Sequence, residues 1–318
     1  MYRNINNKIF LLFSLTILLF SCSKEKRSDK AAEKMQEFVI NISNYARGID
    51  PDFIIIPQNG AELSFNNIDA SEGLNSNYIS AIDGVGIEAL FYDEQLLPED
   101  ERLNMVKQIK TSKKVLVSDY ITDNTNVADA ISRNKSEGFI CFPRVSNNYD
   151  YLYIPDSVID ENINEITSLQ DAKNYLYLIN TDSYSTKQDM INAISATNFD
   201  VVLIDMDFNE ESFTSTEISQ LKTKLNGAKR LVISYINVGA AENWRYYWKK
   251  KWNTVHPCWM KKKYEGYKDE RWVKFWKKDW QEIIYGNDNS YIKKIINAGF
   301  DGAYLDNVEA FYFLYYKD

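Results

Sequence analysis

The sequence predicts an α/β protein, a (β/α)8 barrel. Two observations carry this. Eight short apolar runs rich in Ile, Val and Tyr recur along the 318 residues, as expected of strands buried on both faces of a parallel sheet. Stretches of helical period separate them, and eight such units fit a closed barrel better than an open doubly wound sheet. Neither a Gly-x-Gly-x-x-Gly fingerprint nor a P-loop spacing occurs, which weakens a nucleotide-binding reading.

In order, the runs are "FIIIPQNG" (53–60), "YISAIDGVGIEALFY" (78–92), "KVLVSDYI" (114–121) and "EGFICFPR" (137–144). "NYLYLIN" (174–180), "FDVVLIDMDF" (199–208), "RLVISYINVG" (230–239) and "FDGAYLDNV" (300–308) complete the set. Between them, residues 32–48 put Met35, Phe38, Val39, Ile42 and Tyr45 on one helical stripe, with Gly48 as the cap. Residues 216–229 repeat the period through Ile218, Leu221 and Leu225. Residues 145–171 show no period and read as a connector packed on the outside.

Ahead of the first run, "MYRNINNKIFLLFSLTILLFSCSKEKRSDK" combines basic Arg3 and Lys8, an apolar run at 9–20, and Ser21 before Cys22. A run this short reads as the core of a signal peptide rather than a membrane span. A small residue before cysteine resembles a bacterial lipobox, in which the cysteine is diacylated and anchors the protein to a membrane. An ordinary secretory signal is the plainer alternative. The expected organisation is a signal peptide at 1–21, a tether at 22–34 and one barrel domain at 35–318, in the bacterial cell envelope.

Composition narrows the chemistry. A net charge of −8 argues against nucleic acid as a partner. His256 is the single histidine, so a multi-histidine zinc site is impossible and a Ser-His-Asp relay would depend on that residue. Acid–base work falls on carboxylates; neither metal nor cofactor is expected, and the chain reads as a monomer. Cys141 and Cys258 carry no framework signal, so their pairing stays open. All seven tryptophans fall in 241–280, an insertion whose rings suit either packing or sugar stacking.

In a (β/α)8 barrel the active site lies at the carboxyl ends of the strands. Those positions hold Gln58 and Asn59, Asp83 and Glu88, Asp119 and Tyr120, Arg144, Asp205 and Asp207, Tyr235 with Glu242, and Asp306 and Asn307 with Glu309. Clustered acids raise one another's pKa, which suits a pair in which one carboxyl keeps its proton and the other stays ionised. Glycoside hydrolysis needs such a pair. For Asp83 and Asp207 a cap or salt bridge is the better reading, and Glu309 reads as a helix-start acid.

"VISYINVGAAENWRYYW", "WVKFWKKDWQEII", "AGFDGAYLDNVEAF", "FVINISNYARGIDPDFIIIPQNG" and "AIDGVGIEALFY" together resemble glycoside hydrolase family 114, typified by endo-α-1,4-polygalactosaminidase. The resemblance implies a TIM barrel, Asp306 and Glu88 as the catalytic pair, and α-linked amino-sugar or related polysaccharide as substrate. Asp205, Tyr235, Glu242, Arg245, Gln58, Asn59, Asp119 and Asn307 would line the sugar site. Segments resembling 174–318 come first in the relatives and those resembling 35–144 follow, so this chain reads as a circular permutation. Relatives commonly carry Gly-Glu-Ala-Glu where this chain has Gly239, Ala240, Ala241 and Glu242. A catalytically inactive glycan-binding lipoprotein is the alternative.

Overall fold

The apolar runs become parallel strands because hardly any of their side chains meet water. A computed structural model describes residues 5–145 and 151–316, with side chains from residue 26 onward. The strands are β1 (Ile54–Pro57), β2 (Gly84–Asp93), β3 (Lys114–Tyr120), β4 (Ile140–Cys141), β5 (Tyr175–Leu178), β6 (Val201–Asp205), β7 (Leu231–Asn237) and β8 (Gly302–Asp306). Hydrogen-bonded ladders order five of them β5-β6-β7-β8-β1 and three β2-β3-β4, all parallel. A bridge between Gln58 and Gly86 joins the two groups, supported by Asp83 N–H on the Ile55 carbonyl at 2.9 Å.

The ring closure expected of a barrel is not made by a ladder between β4 and β5 among the described residues. Strand β4 is two residues long and Pro143 just beyond it has no N–H to donate. Side chains meet across the seam instead, with the Phe142 and Tyr175 rings 5.7 Å apart. Two shorter expectations also change. Residues 78–81, read as the start of a strand, belong to a helix, Ser76–Ala81, whose first N–H groups are taken by the Asn75 side chain. The helix read over 216–229 is Ser215–Leu221, after which the chain turns so that Lys224 can meet Asp200 at 2.5 Å out of solvent.

Helix α1 (Ile5–Arg47) buries Met35, Phe38, Val39 and Ile42. It runs through the stretch expected as a tether, where Ser28, Ala31 and Ala32 are buried and Ser28 Oγ donates to the Phe311 carbonyl at 3.3 Å. The side chains of residues 1–25, Cys22 included, lie outside the described residues. No described helix is long and apolar enough to cross a membrane. Strand β8 lies between β7 and β1, so the last strand neighbours the first, and α1 packs on the closing helix Ala310–Tyr316.

Inside the sheet, Tyr304 of β8 reaches across to β2. A Cβ on Gly86 would fall 1.8 Å from the Tyr304 hydroxyl oxygen. Gly86→Ala is therefore expected to destabilise the fold by about 1–3 kcal/mol through overpacking, measured by denaturant unfolding; an unchanged midpoint would show that Tyr304 swings aside freely.

Candidate active site

At the carboxyl ends of the strands lies a cavity of about 1150 Å³. Glu88, Asp306, Gln58, Asn59, Asp205, Tyr235, Glu242, Arg245 and Asn307, all expected from the sequence, line it. Asp119 does not, and Arg144 stacks against Tyr120 at 4.9 Å away from it. Asp83 precedes β2 at the other end of the strands, where it pairs with Arg47 at 2.7 Å.

Backbone geometry presents the two central carboxyls. At the end of β8, Asn307 adopts a left-handed φ of 61°. Its N–H donates to Asp306 Oδ1 at 2.7 Å and its Nδ2 to Oδ2 at 3.0 Å. Tyr235 Oη, from β7, donates to the same Oδ2 at 2.5 Å. Strand β2 breaks register with β3 after Glu88, and Ala89 has a φ of 49°. Beneath this bulge the buried Asp119 carboxylate accepts the N–H groups of Leu90, Phe91 and Tyr92 at 2.9–3.1 Å. Asn134 Nδ2 satisfies its other oxygen at 2.8 Å. Asp119 is thus a prop for the loop that presents Glu88, because its lone pairs are consumed before they could reach a sugar. Glu88 in turn accepts from Tyr151 Oη at 2.6 Å and Asn59 Nδ2 at 3.3 Å. Asn59, with φ 59°, makes a third left-handed non-glycine residue at this site, where strain of this kind gathers.

One wall is an ionic cluster. Arg245 donates to both oxygens of Asp205 at 2.7 and 2.6 Å and to both oxygens of Glu242 at 2.8 and 3.2 Å. Asp207 lies 3.4 Å from Arg245, in keeping with its salt-bridge reading. Burial opposes the Arg245 charge, yet Asp205 and Glu242 outweigh it and hold the guanidinium well above its ordinary range.

Among the described residues, no cation is in direct contact with Asp306, Glu309 or Glu270. Burial, reinforced by the charge of Glu88 against the donated hydrogen bonds, pushes Asp306 up to about 7. Glu309 and Glu270 also line the cavity. Burial with Glu88 and Asp306 raises Glu309 to about 8, and burial with Glu242 and Asp306 raises Glu270 to about 9. Glu309 does stand at the start of the closing helix, as its position suggested, but it also faces the cavity. Sequence reading passed over Glu270 entirely. It belongs to the strand Tyr267–Val273 of the insertion, where it pairs across from Glu242. The insertion's place directly after β7 was the available signal.

Most of the tryptophans pack the insertion. Trp252, Trp259, Trp272 and Trp280 are buried, whereas Trp244 lines the cavity at 38% exposure, as do Tyr267 at 40% and Tyr312 at 46%. Cys141 is buried and Cys258 exposed, and both are free thiols.

Residues 166–317, just under half the chain, match the sequence profile of Glycoside-hydrolase family GH114. The match supports a glycoside hydrolase. It covers β5–β8 with Asp306, and not Glu88. An uncharacterized protein of Thermotoga maritima is 32% identical over 119 residues, 37% of this chain and 35% of its own length. An uncharacterized protein of Methanocaldococcus jannaschii is 31% identical over 152 residues, 48% of this chain and 41% of its own. The aligned stretches thus span well under half of these relatives.

Two outcomes follow from the charge arrangement. Arg245→Ala strands buried carboxylates and should cost about 3–5 kcal/mol; calorimetry showing a smaller loss would mean that the cavity admits water. A raised folded-state pKa means that the folded protein holds a proton the unfolded chain releases. Glu270 therefore costs stability as pH rises from its ordinary 4.5 to about 9. Glu270→Gln should gain on the wild type through that window and match it below, as read from unfolding midpoints.

Proposed function

We propose that this chain is a lipid-anchored glycoside hydrolase cleaving an α-linked amino-sugar polysaccharide of the polygalactosamine kind, or a related polysaccharide, with Asp306 and Glu88. The observation that carries the reading is that these two carboxyls, from separate strands and each held by hydrogen-bond donors, face one open cavity. With its pKa near 7, Asp306 keeps a proton in neutral water and serves as general acid to the glycosidic oxygen as the C–O bond breaks. Glu88 then attacks the anomeric carbon, or takes the proton of the water that does. Trp244, Tyr267 and Tyr312 offer aromatic faces to flanking sugar rings. Glu309 and Glu270, raised to about 8 and about 9, would ionise on meeting a cationic amino group, whereas they offer a uronic acid no counter-charge.

The reading includes a permuted TIM barrel: the family match to 166–317 supports the barrel, and α1 packs beside the short closing helix, where a permuted chain would carry the helix that follows β8. It also includes diacylation of Cys22, for which the sequence pattern is the support. Ala240 favours a second reading, a glycan-binding lipoprotein without turnover. It is fully buried and paired with Trp272, leaving no carboxylate at that position.

Incubating the purified chain with partly deacetylated galactosaminoglycan should release reducing ends, and Asp306→Asn should lower kcat by about 10²–10⁴-fold. Turnover should fall as pH rises through about 7, where Asp306 gives up its proton. Tight glycan binding by the wild type with no cleavage at any pH would select the second reading.

A further inference from the structure

We propose that Tyr151, contributed by the irregular connector between β4 and β5, is the positioning residue that fixes the Glu88 carboxylate for reaction. The proposal rests on the glycosidase reading for its kinetic consequence and on geometry for everything else. Tyr151 lies outside the stretch that matches the family profile. Far from packing on the outside as the connector was expected to, its ring is 6% exposed and stacks on Tyr177 with centroids 3.7 Å apart and planes 14° from parallel. Its backbone takes a φ of 41°, an expensive conformation for a bulky residue. Tyr177 is itself anchored through its hydroxyl to Gln58 Oε1 at 3.2 Å.

The hydrogen-bond directions follow from counting protons. A tyrosine hydroxyl has one proton, and Tyr151 gives it to Glu88 Oε1 at 2.6 Å. Ser118 Oγ, 3.1 Å from the Tyr151 oxygen, must therefore be the donor in that contact. Ser118 is also the register partner of Glu88 across β2 and β3. A relay thus runs from Ser118 through Tyr151 to Glu88. Asn59 holds the second Glu88 oxygen, so neither is free to rotate. Burial, with the Glu88 charge adding to it, keeps the phenol protonated and hence a permanent donor.

A ring that only filled the seam would work equally well as phenylalanine. Tyr151→Phe keeps the stack and removes the hydroxyl, so the two roles separate. The expected result is a kcat about 10- to 30-fold lower and KM within about twofold, with the unfolding midpoint lowered only by the loss of one buried hydrogen-bonding group. Ser118→Ala, one step further along the relay, should lower kcat by about two- to fivefold. Unchanged kcat in Tyr151→Phe overturns the proposal. Proton NMR reads the contact without turnover: a downfield, slowly exchanging hydroxyl resonance should be present in the wild type and missing in Tyr151→Phe. If the wild type cleaves no glycan but shows that resonance, the glycosidase reading falls and the positioning contact stands. If the resonance is missing from the wild type, the positioning contact falls whatever the activity.

Discussion

The double fork between Arg245 and its two carboxylates is the interaction on which the rest of the cavity depends. Acidic side chains crowd one end of a parallel sheet, and in a low-dielectric wall each would ordinarily be driven to neutrality or out into solvent. Arg245 removes two of them from that competition by matching its planar donors to four oxygens at once. Asp205 and Glu242 become fixed parts of the wall. Asp306, Glu309 and Glu270, which no cation touches among the described residues, are raised by burial and by neighbouring acids to about 7, about 8 and about 9, and burial raises Glu242 as well despite its bond to Arg245.

Much of this was legible in the sequence. The apolar runs marked the strands because parallel strands covered on both faces leave no polar periodicity to confuse the reading. The carboxyl ends then named most of the cavity, since position along a strand is almost fixed once its run is known. Asp119 shows where that logic stops. It occupies a strand end as Asp306 does, but the adjoining strand bulges and turns three amides toward it, and nothing in a linear sequence announces a bulge. Glu270 escaped for the opposite reason. It belongs to a hairpin added after β7, and only pairing with the strand Ala240–Glu242 swings it over the cavity. Tyr151 stood in a stretch without any period, where sequence gives no orientation at all.

The helix α1 was legible as a stripe but not in extent. Its apolar face was read from Met35 onward, yet Ser28, Ala31 and Ala32 extend the buried surface. Small residues can lie against a neighbouring helix without the hydrophobic signature by which a buried face is usually recognised, and the charged residues among them suggested a solvated tether.

The join between β1 and β2 has a consequence for how the molecule comes together. Five strands on one side and three on the other are each knitted by continuous ladders, while a bridge at Gln58 and Gly86 with a few flanking bonds links them. Asp306 belongs to the first group and Glu88 to the second. The join is the thinnest hydrogen-bonded part of the sheet, although one apolar core, with Tyr304 against Gly86, runs across it. An opening at that join would part Asp306 from Glu88 while leaving the ladders on either side intact.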